Sequence, residues 1–134
     1  MLFPRFLLPI IGLAAAGCAQ KQVPAPASAA ALDEIAQNAA AQVKRCYRSP
    51  RVPSSGKQII TRLRVQYRED GGLAALPVVL FQAGLTPANS PYAGKMAQAA
   101  GLAVMRCAPV RLPPDKHKEG WSTLELTFSP AARV

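Results

Sequence analysis

The sequence predicts an α+β domain in which helices cover one face of a small three-stranded antiparallel-type sheet, in the chain order helix, strand, strand, helix, strand. Apolar and polar residues alternate in residues 58–68 and 121–128, which is the period of a half-buried strand. Apolar residues recur at helical spacing in residues 32–46 and 92–107. A chain of 134 residues has room for one domain of ordinary size.

The first helix is predicted over residues 32–46. Its apolar residues are spaced by three and four positions and form one stripe, composed of Ile35, Ala39, Val43 and Cys46. The first strand follows a loop rich in Pro and Ser, and residues suited to burial occupy alternate positions in it: Ile59, Thr61, Leu63, Val65 and Tyr67. Its three arginines, Arg62, Arg64 and Arg68, are expected on the opposite, solvated face.

A hairpin turn is predicted at residues 69–72, which read Glu-Asp-Gly-Gly. The return strand is predicted over residues 73–81. Pro77 cannot donate a hydrogen bond to a neighbouring strand, so this strand is expected at an edge of the sheet. The first strand then lies at the centre, and the last strand pairs with its other side.

The second helix is predicted over residues 92–107, with Ser90 as its N-cap and Pro91 at its first position. After a Pro-containing loop, the last strand is predicted over residues 121–128. Its inward side chains are Leu124, Leu126 and Phe128, and its outward ones are Thr123, Glu125 and Thr127. Trp121 is expected to anchor this strand to the core.

The N-terminal residues 1–17 have the layout of a secretory signal peptide. Arg5 precedes an apolar run, and Ala15, Ala16 and Gly17 lead directly into Cys18. This ending resembles the lipobox of bacterial lipoproteins, whose cysteine is acylated and becomes the new N-terminus. An ordinary cleaved signal and an uncleaved anchor are the alternatives, although the run is about half of the roughly 20 apolar residues that a spanning helix needs.

The lipobox interpretation predicts a lipid anchor on Cys18, facing the periplasm in the bacterial cell envelope. Ala19 follows the cysteine, where many inner-membrane lipoproteins carry Asp, so the outer membrane is favoured over the inner one. Residues 18–31 are predicted as a tether, and its stretch 19–30, rich in Pro and Ala, reaches about 35 Å at ~3 Å per residue. The folded domain is predicted over residues 32–134.

The two remaining cysteines, Cys46 and Cys107, are expected to form a disulfide bond, because an even pair in an oxidising compartment is oxidised by default. The single histidine, His117, is expected to be a solvated loop residue, and no ligand cluster surrounds either cysteine. No arrangement of a nucleophile with a base, or of paired acids, is recognisable. The sequence therefore predicts a protein that is not an enzyme and that holds no metal or cofactor.

The formal net charge is +9, which favours anionic partners. The basic residues are spread along the chain, and only three tyrosines and one tryptophan are available to stack on bases. Nucleic acid is therefore not expected as a partner. The arginines Arg62, Arg64 and Arg68 form either a solvated sheet face or an anion-binding stripe for lipid or an envelope polymer.

Several blocks of sequence resemble the TonB/TolA C-terminal domain family, and most of all its TolA branch. These blocks read Lys-Arg-Cys-Tyr at residues 44–47, Glu-Asp-Gly-Gly at residues 69–72 and Met-Arg-Cys-Ala-Pro at residues 105–109. A Leu-Pro-Pro at residues 112–114 and a Gly-Trp-led strand ending Phe-Ser-Pro at residue 130 complete the pattern. The likeness covers residues 32–130.

The resemblance implies a fold and a mode of binding rather than energy transduction. In this family the last strand commonly accepts an extended segment of a partner, which here implicates Ser122, Thr123, Leu124, Glu125, Leu126, Thr127 and Phe128. The implied partners are envelope proteins, with Tol-Pal or TonB-related components among them. A protected edge strand without a partner is the alternative for these residues.

Overall fold

The computed structural model describes residues 29–132; the predicted signal peptide, Cys18 and the tether up to residue 28 lie outside this range. The main elements follow the predicted order: helix α1 (Ala29–Lys44), strand β1 (Ile60–Gln66), strand β2 (Val78–Ala83), helix α2 (Ala93–Cys107) and strand β3 (Thr123–Phe128). A short π-helical turn, His117–Trp121, precedes β3. The α+β fold class predicted from the sequence is confirmed.

The three strands form one sheet in the order β2-β1-β3, and both pairings are antiparallel. β1 therefore lies at the centre and β2 at an edge, as the position of Pro77 predicts. The predicted return strand is displaced, because Leu73 makes only an isolated bridge with Tyr67 and β2 begins directly after Pro77. Helix α1 begins three residues inside the predicted tether, since Ala29 and its alanine neighbours are strong helix formers.

The core lies between the two helices and one face of the sheet. The alternation in β1 and β3 places Leu63, Val65, Leu124 and Leu126 against the apolar stripes of α1 and α2. Trp121 is fully buried in this core, as expected. Full burial of a Val, Leu or Phe side chain in this core contributes roughly 1.5–3 kcal/mol of apolar transfer free energy to the stability of the fold.

The turn between β1 and β2 is fixed by hydrogen bonds on both of its sides. Gly71 has a positive φ of 86° and donates to the carbonyl of Arg68 (2.8 Å), while Asp70 accepts from the amide of Gly72 (2.8 Å). The amide of Val110 donates to the carbonyl of Gly71 at 2.9 Å, which ties the loop after α2 to this turn. A side chain on Gly71 would collide with the Val110 carbonyl. Glycine is therefore required here both by the positive φ and by the lack of space for a Cβ atom.

A disulfide bond joins Cys46, just after α1, to Cys107, the last residue of α2. Their Cα atoms are 5.7 Å apart, within the range that a disulfide bond spans. The bond closes a loop with a sequence separation of 61. In the chain-entropy account, closing a loop of this length in the unfolded chain is worth about 4 kcal/mol of stability.

Tyr67 is a titratable group inside the core. Its side chain is 2% exposed, and its hydroxyl has no hydrogen-bond partner among the described residues. Burial raises the pKa of Tyr67 to about 12, because the phenolate would lose its hydration. The neutral form is thus favoured in the folded protein more than in the unfolded chain, whose tyrosine pKa is about 10.

This difference predicts a loss of stability at high pH. Because the pKa of Tyr67 is higher in the folded protein than in the unfolded chain, this difference adds to the free energy of unfolding fully below about pH 10. The contribution is lost between about pH 10 and pH 12, at about 1.4 kcal/mol per pH unit. From pH 9 to pH 11, the free energy of unfolding of the wild type should fall by about 1 kcal/mol more than that of Tyr67→Phe. Urea unfolding of both proteins measures this, and an equal fall in the two would contradict the prediction.

Candidate functional site

Strand β3 has one paired edge and one open edge. Six consecutive residue pairs join it to β1, from Thr61 opposite Phe128 to Gln66 opposite Thr123. No strand within residues 29–132 pairs with its other side. The backbone of β3 is therefore available along one full edge of the sheet.

The hydrogen bonds next to the turn show which backbone groups of β3 face this open edge. The amide of Tyr67 donates to the carbonyl of Ser122 (2.9 Å), whereas the carbonyl of Gln66 turns the other way and accepts from Ala74 (2.8 Å). Residues of an antiparallel pair alternate in this manner along the strand. It follows that Leu124, Leu126 and Phe128 bond to β1, and that Thr123, Glu125 and Thr127 direct their N–H and C=O groups outward.

The two edges of the sheet differ in regularity. The pairing of β1 with β2 is irregular, because Arg62 lies opposite Phe81 and Leu63 lies opposite Val79, which leaves Leu80 without a partner. A bulge of this kind and a proline at the strand entrance are features that protect an edge from pairing with another chain. The β3 register has no irregularity and β3 has no proline, so its edge is the better template for an added strand.

The start of β3 is held by the π-helical turn. The indole N–H of Trp121 donates to the carbonyl of Pro113 at 2.7 Å, and the His117 ring packs edge-on against Trp121 at 4.6 Å between centroids. The Nε2 of His117 also lies 2.7 Å from the carbonyl oxygen of Tyr67. His117 is half-buried in these contacts, so the expectation of a solvated loop residue is wrong. The turn fixes where the strand begins.

The far end of β3 is held by aromatic packing. Phe128 is buried and its ring lies 5.7 Å from that of Tyr47, the residue after Cys46. Both ends and the inward side chains of β3 are therefore fixed by contacts within the domain. A strand that is ordered in advance loses little conformational entropy on binding, which favours affinity.

The outer face of the sheet carries charges that are already paired. Glu125 of β3 forms a salt bridge of 2.8 Å with Arg62 of β1, and the Arg62 guanidinium lies 5.9 Å from the ring centroid of Phe81. Arg68 pairs with Asp70 at 3.5 Å in the turn. Arg64 is exposed and has no ion pair within the described part of the chain. The three arginines considered for an anion-binding stripe are thus not three free cations.

The β2 edge carries exposed apolar side chains that the sequence pattern did not reveal. Val78 and Phe81 are about half exposed and share the outer face with Arg62 and Arg64, as their register shows. Val79 lies opposite the buried Leu63, on the other face, and is also partly exposed, as is Leu76 before the strand. Their apolar run is typical of a buried strand, and only the edge position of β2 leaves it in contact with solvent. Exposed apolar groups that lie together often mark an interaction surface.

The described residues contain no group of three or more His, Cys, Asp or Glu side chains able to hold a metal ion. None of the helices in residues 29–132 combines the length and the apolarity needed to cross a membrane.

Comparisons with models of protein families, with curated proteins and with solved structures find no match to this chain.

Proposed function

We propose that this protein is a lipid-anchored protein of the bacterial cell envelope that captures an extended segment of an envelope protein by strand addition at β3. The observation that carries the proposal is the regular open edge of β3, where Thr123, Glu125 and Thr127 direct backbone groups outward and no strand within residues 29–132 pairs with them. The resemblance of residues 32–130 to the TonB/TolA C-terminal domains supports the same edge. Tol-Pal or TonB-related components are the candidate partners.

In this mechanism the backbone provides affinity and the side chains provide selectivity. A partner strand would exchange hydrogen bonds with the outward N–H and C=O groups of β3, and each bond contributes about 0.5–1.5 kcal/mol net. The side chains of Thr123, Glu125 and Thr127 lie on the exposed face and would contact alternate residues of the added strand. Acylation of Cys18 would keep this edge within a short distance of the membrane.

The alternative function, in which the arginine face of the sheet holds anionic lipid or polymer, has less support. Arg62 and Arg68 are already compensated by Glu125 and Asp70. An anion would have to displace a carboxylate in each case, which reduces the net gain in binding free energy.

The open edge can be tested with proline at a single outward position. Glu125→Pro removes an N–H that faces the partner and leaves the hydrogen bonds to β1 in place, so the fold should survive while partner capture is lost. Glu125→Ala is the matched control, because it removes the same carboxylate and the same salt bridge to Arg62 but keeps the N–H. Leu124→Pro is not a clean test, since that amide bonds to β1.

Partner capture is measured by photo-cross-linking in native cells, with the cross-linking amino acid placed at Thr127. We expect one dominant cross-linked protein with the parent chain and with Glu125→Ala, and at least a tenfold loss with Glu125→Pro, which corresponds to about 1.4 kcal/mol. A Phe81→Ser variant with the same probe tests the β2 edge. Equal cross-linking in Glu125→Pro, or loss only in Phe81→Ser, would contradict the role of β3.

The lipid anchor has a separate test. Replacing Cys18 by Ser should abolish incorporation of labelled palmitate and release the protein from the membrane fraction, because the acyl chain supplies about 0.8 kcal/mol for each buried CH₂ group. Labelling of cells followed by membrane fractionation measures both effects. Palmitate on the Cys18→Ser variant, or none on the parent chain, would refute acylation at this residue.

A further inference from the structure

A second surface of the domain carries charge that the strand-addition proposal does not use. A cleft of about 410 Å³ lies between the loop after α1 and the exposed side of α2. Four of the side chains that line it are cationic and exposed, namely Arg48, Arg51, Lys95 and Arg106. The half-buried Pro50 and Leu102 also line it.

The positive charge in this cleft is uncompensated. None of the acidic residues lines it, and no carboxylate of residues 29–132 forms an ion pair with any of the four cations. Arg62 and Arg68 differ from these four cations, because each of them forms an ion pair with a carboxylate. Four like charges around one cleft repel one another, and an anionic ligand would relieve that repulsion.

The length of the charged row indicates the size of the ligand. Lys95 and Arg106 lie 11 positions apart on α2, which corresponds to about 16 Å along the helix axis. A single phosphate ion is too small to contact both ends of such a row. A surface with several phosphate groups can contact both ends, and so the charge pattern fits an array of anions.

The predicted tether puts such a surface within reach. From Cys18 to Ala29 the chain can extend at most about 36 Å, whereas α1, with its 16 residues, is about 24 Å long. A domain anchored at Cys18 can therefore lie along the membrane and bring the far end of α1, which leads into Arg48 and Arg51, to the headgroups. Each basic residue near an anionic membrane surface strengthens binding about fivefold.

We propose that this cleft docks the domain on the phosphate groups of anionic lipid headgroups beside its own anchor. Docking through Arg48, Arg51, Lys95 and Arg106 would set the orientation of the domain on the membrane. The proposal rests on the lipid anchor proposed above and is independent of strand addition at β3.

The test uses the acylated full chain reconstituted in lipid vesicles, with an environment-sensitive fluorescent amino acid at Ser49, in the rim of the cleft. On vesicles with anionic phospholipid the emission should shift at about 0.05 M salt and return at about 0.5 M salt, where exposed charges are screened. On vesicles of neutral phosphatidylcholine it should not shift. Flotation with the neutral vesicles, on which no docking is expected, reports separately whether the chain is anchored.

Two charge-reversal variants make the test specific. Arg48→Glu combined with Lys95→Glu should lower the ratio of docked to undocked chains at least 25-fold, from about fivefold for each cation removed. Lys116→Glu combined with Lys118→Glu makes the same change in net charge at exposed positions outside the cleft and should leave docking intact. An equal loss in both variants would show an effect of net charge alone and would overturn the proposal.

The remaining outcomes are also decisive. A chain that floats with anionic vesicles but shows no shift at Ser49 is anchored without docking, which overturns the cleft proposal and leaves the anchor standing. A chain that does not float with neutral vesicles lacks the anchor, and titration of the same probe with added anionic vesicles then supports or overturns the cleft by the same variants. A shift with inorganic phosphate or short duplex DNA, and none with vesicles, would assign the cleft to another anion.

Discussion

The domain depends on the alternation of hydrogen bonds along the central strand β1. Successive residues of β1 turn their backbone groups to opposite neighbours, so that Tyr67 bonds to Ser122 beside β3 while Gln66 bonds to Ala74 on the β2 side. The same alternation sends the side chains of β1 either into the core or to the outer face. One strand thus fixes the register of both neighbours, and with it the three residues of β3 whose backbone groups face outward.

The two edge strands of the sheet differ: β2 carries features that protect an edge from pairing with another chain, and β3 lacks them. Pro77 and the bulge at Leu80 interrupt β2, which would otherwise present a long apolar edge that invites unwanted pairing. Strand β3 has neither interruption and is held at both ends, by Trp121 and by Phe128. Its one charged residue, Glu125, is held on the outer face by Arg62, which keeps the carboxylate beside the edge.

Most of the fold could be predicted from the sequence, because the strongest patterns in the sequence are periodic. The alternation from Ile59 to Tyr67 predicted the central strand, and the lack of an N–H in Pro77 predicted the edge position of β2. The start of β2 was not predicted, because Leu73 fits a strand pattern as well as Val78 does, whereas in the fold Leu73 makes only an isolated bridge with Tyr67 and β2 begins after Pro77. The partners of His117 were also beyond sequence patterns, since both Tyr67 and Trp121 reach it only through the fold.

The two candidate surfaces also differ in how far the sequence predicts them. The outward residues of β3 follow from alternation, whereas the basic cleft joins Arg48 and Arg51 to Lys95 and Arg106 across more than 40 positions of sequence. Its local signal was the spacing of Lys95, Gln98, Leu102 and Arg106 along one side of α2, which a solvated helix face would share. Likewise, Glu125 and Arg62 become partners only when β1 and β3 pair.

Amide hydrogen exchange of the folded chain, followed residue by residue by NMR, tests the open edge most directly. Exchange rates are expected to alternate along β3: slow exchange at Leu124 and Leu126, whose amides bond to β1, and fast exchange at Glu125 and Thr127, whose amides face solvent. Uniformly slow exchange across these four amides would mean that the edge is already covered, and it would contradict a strand left open for a partner.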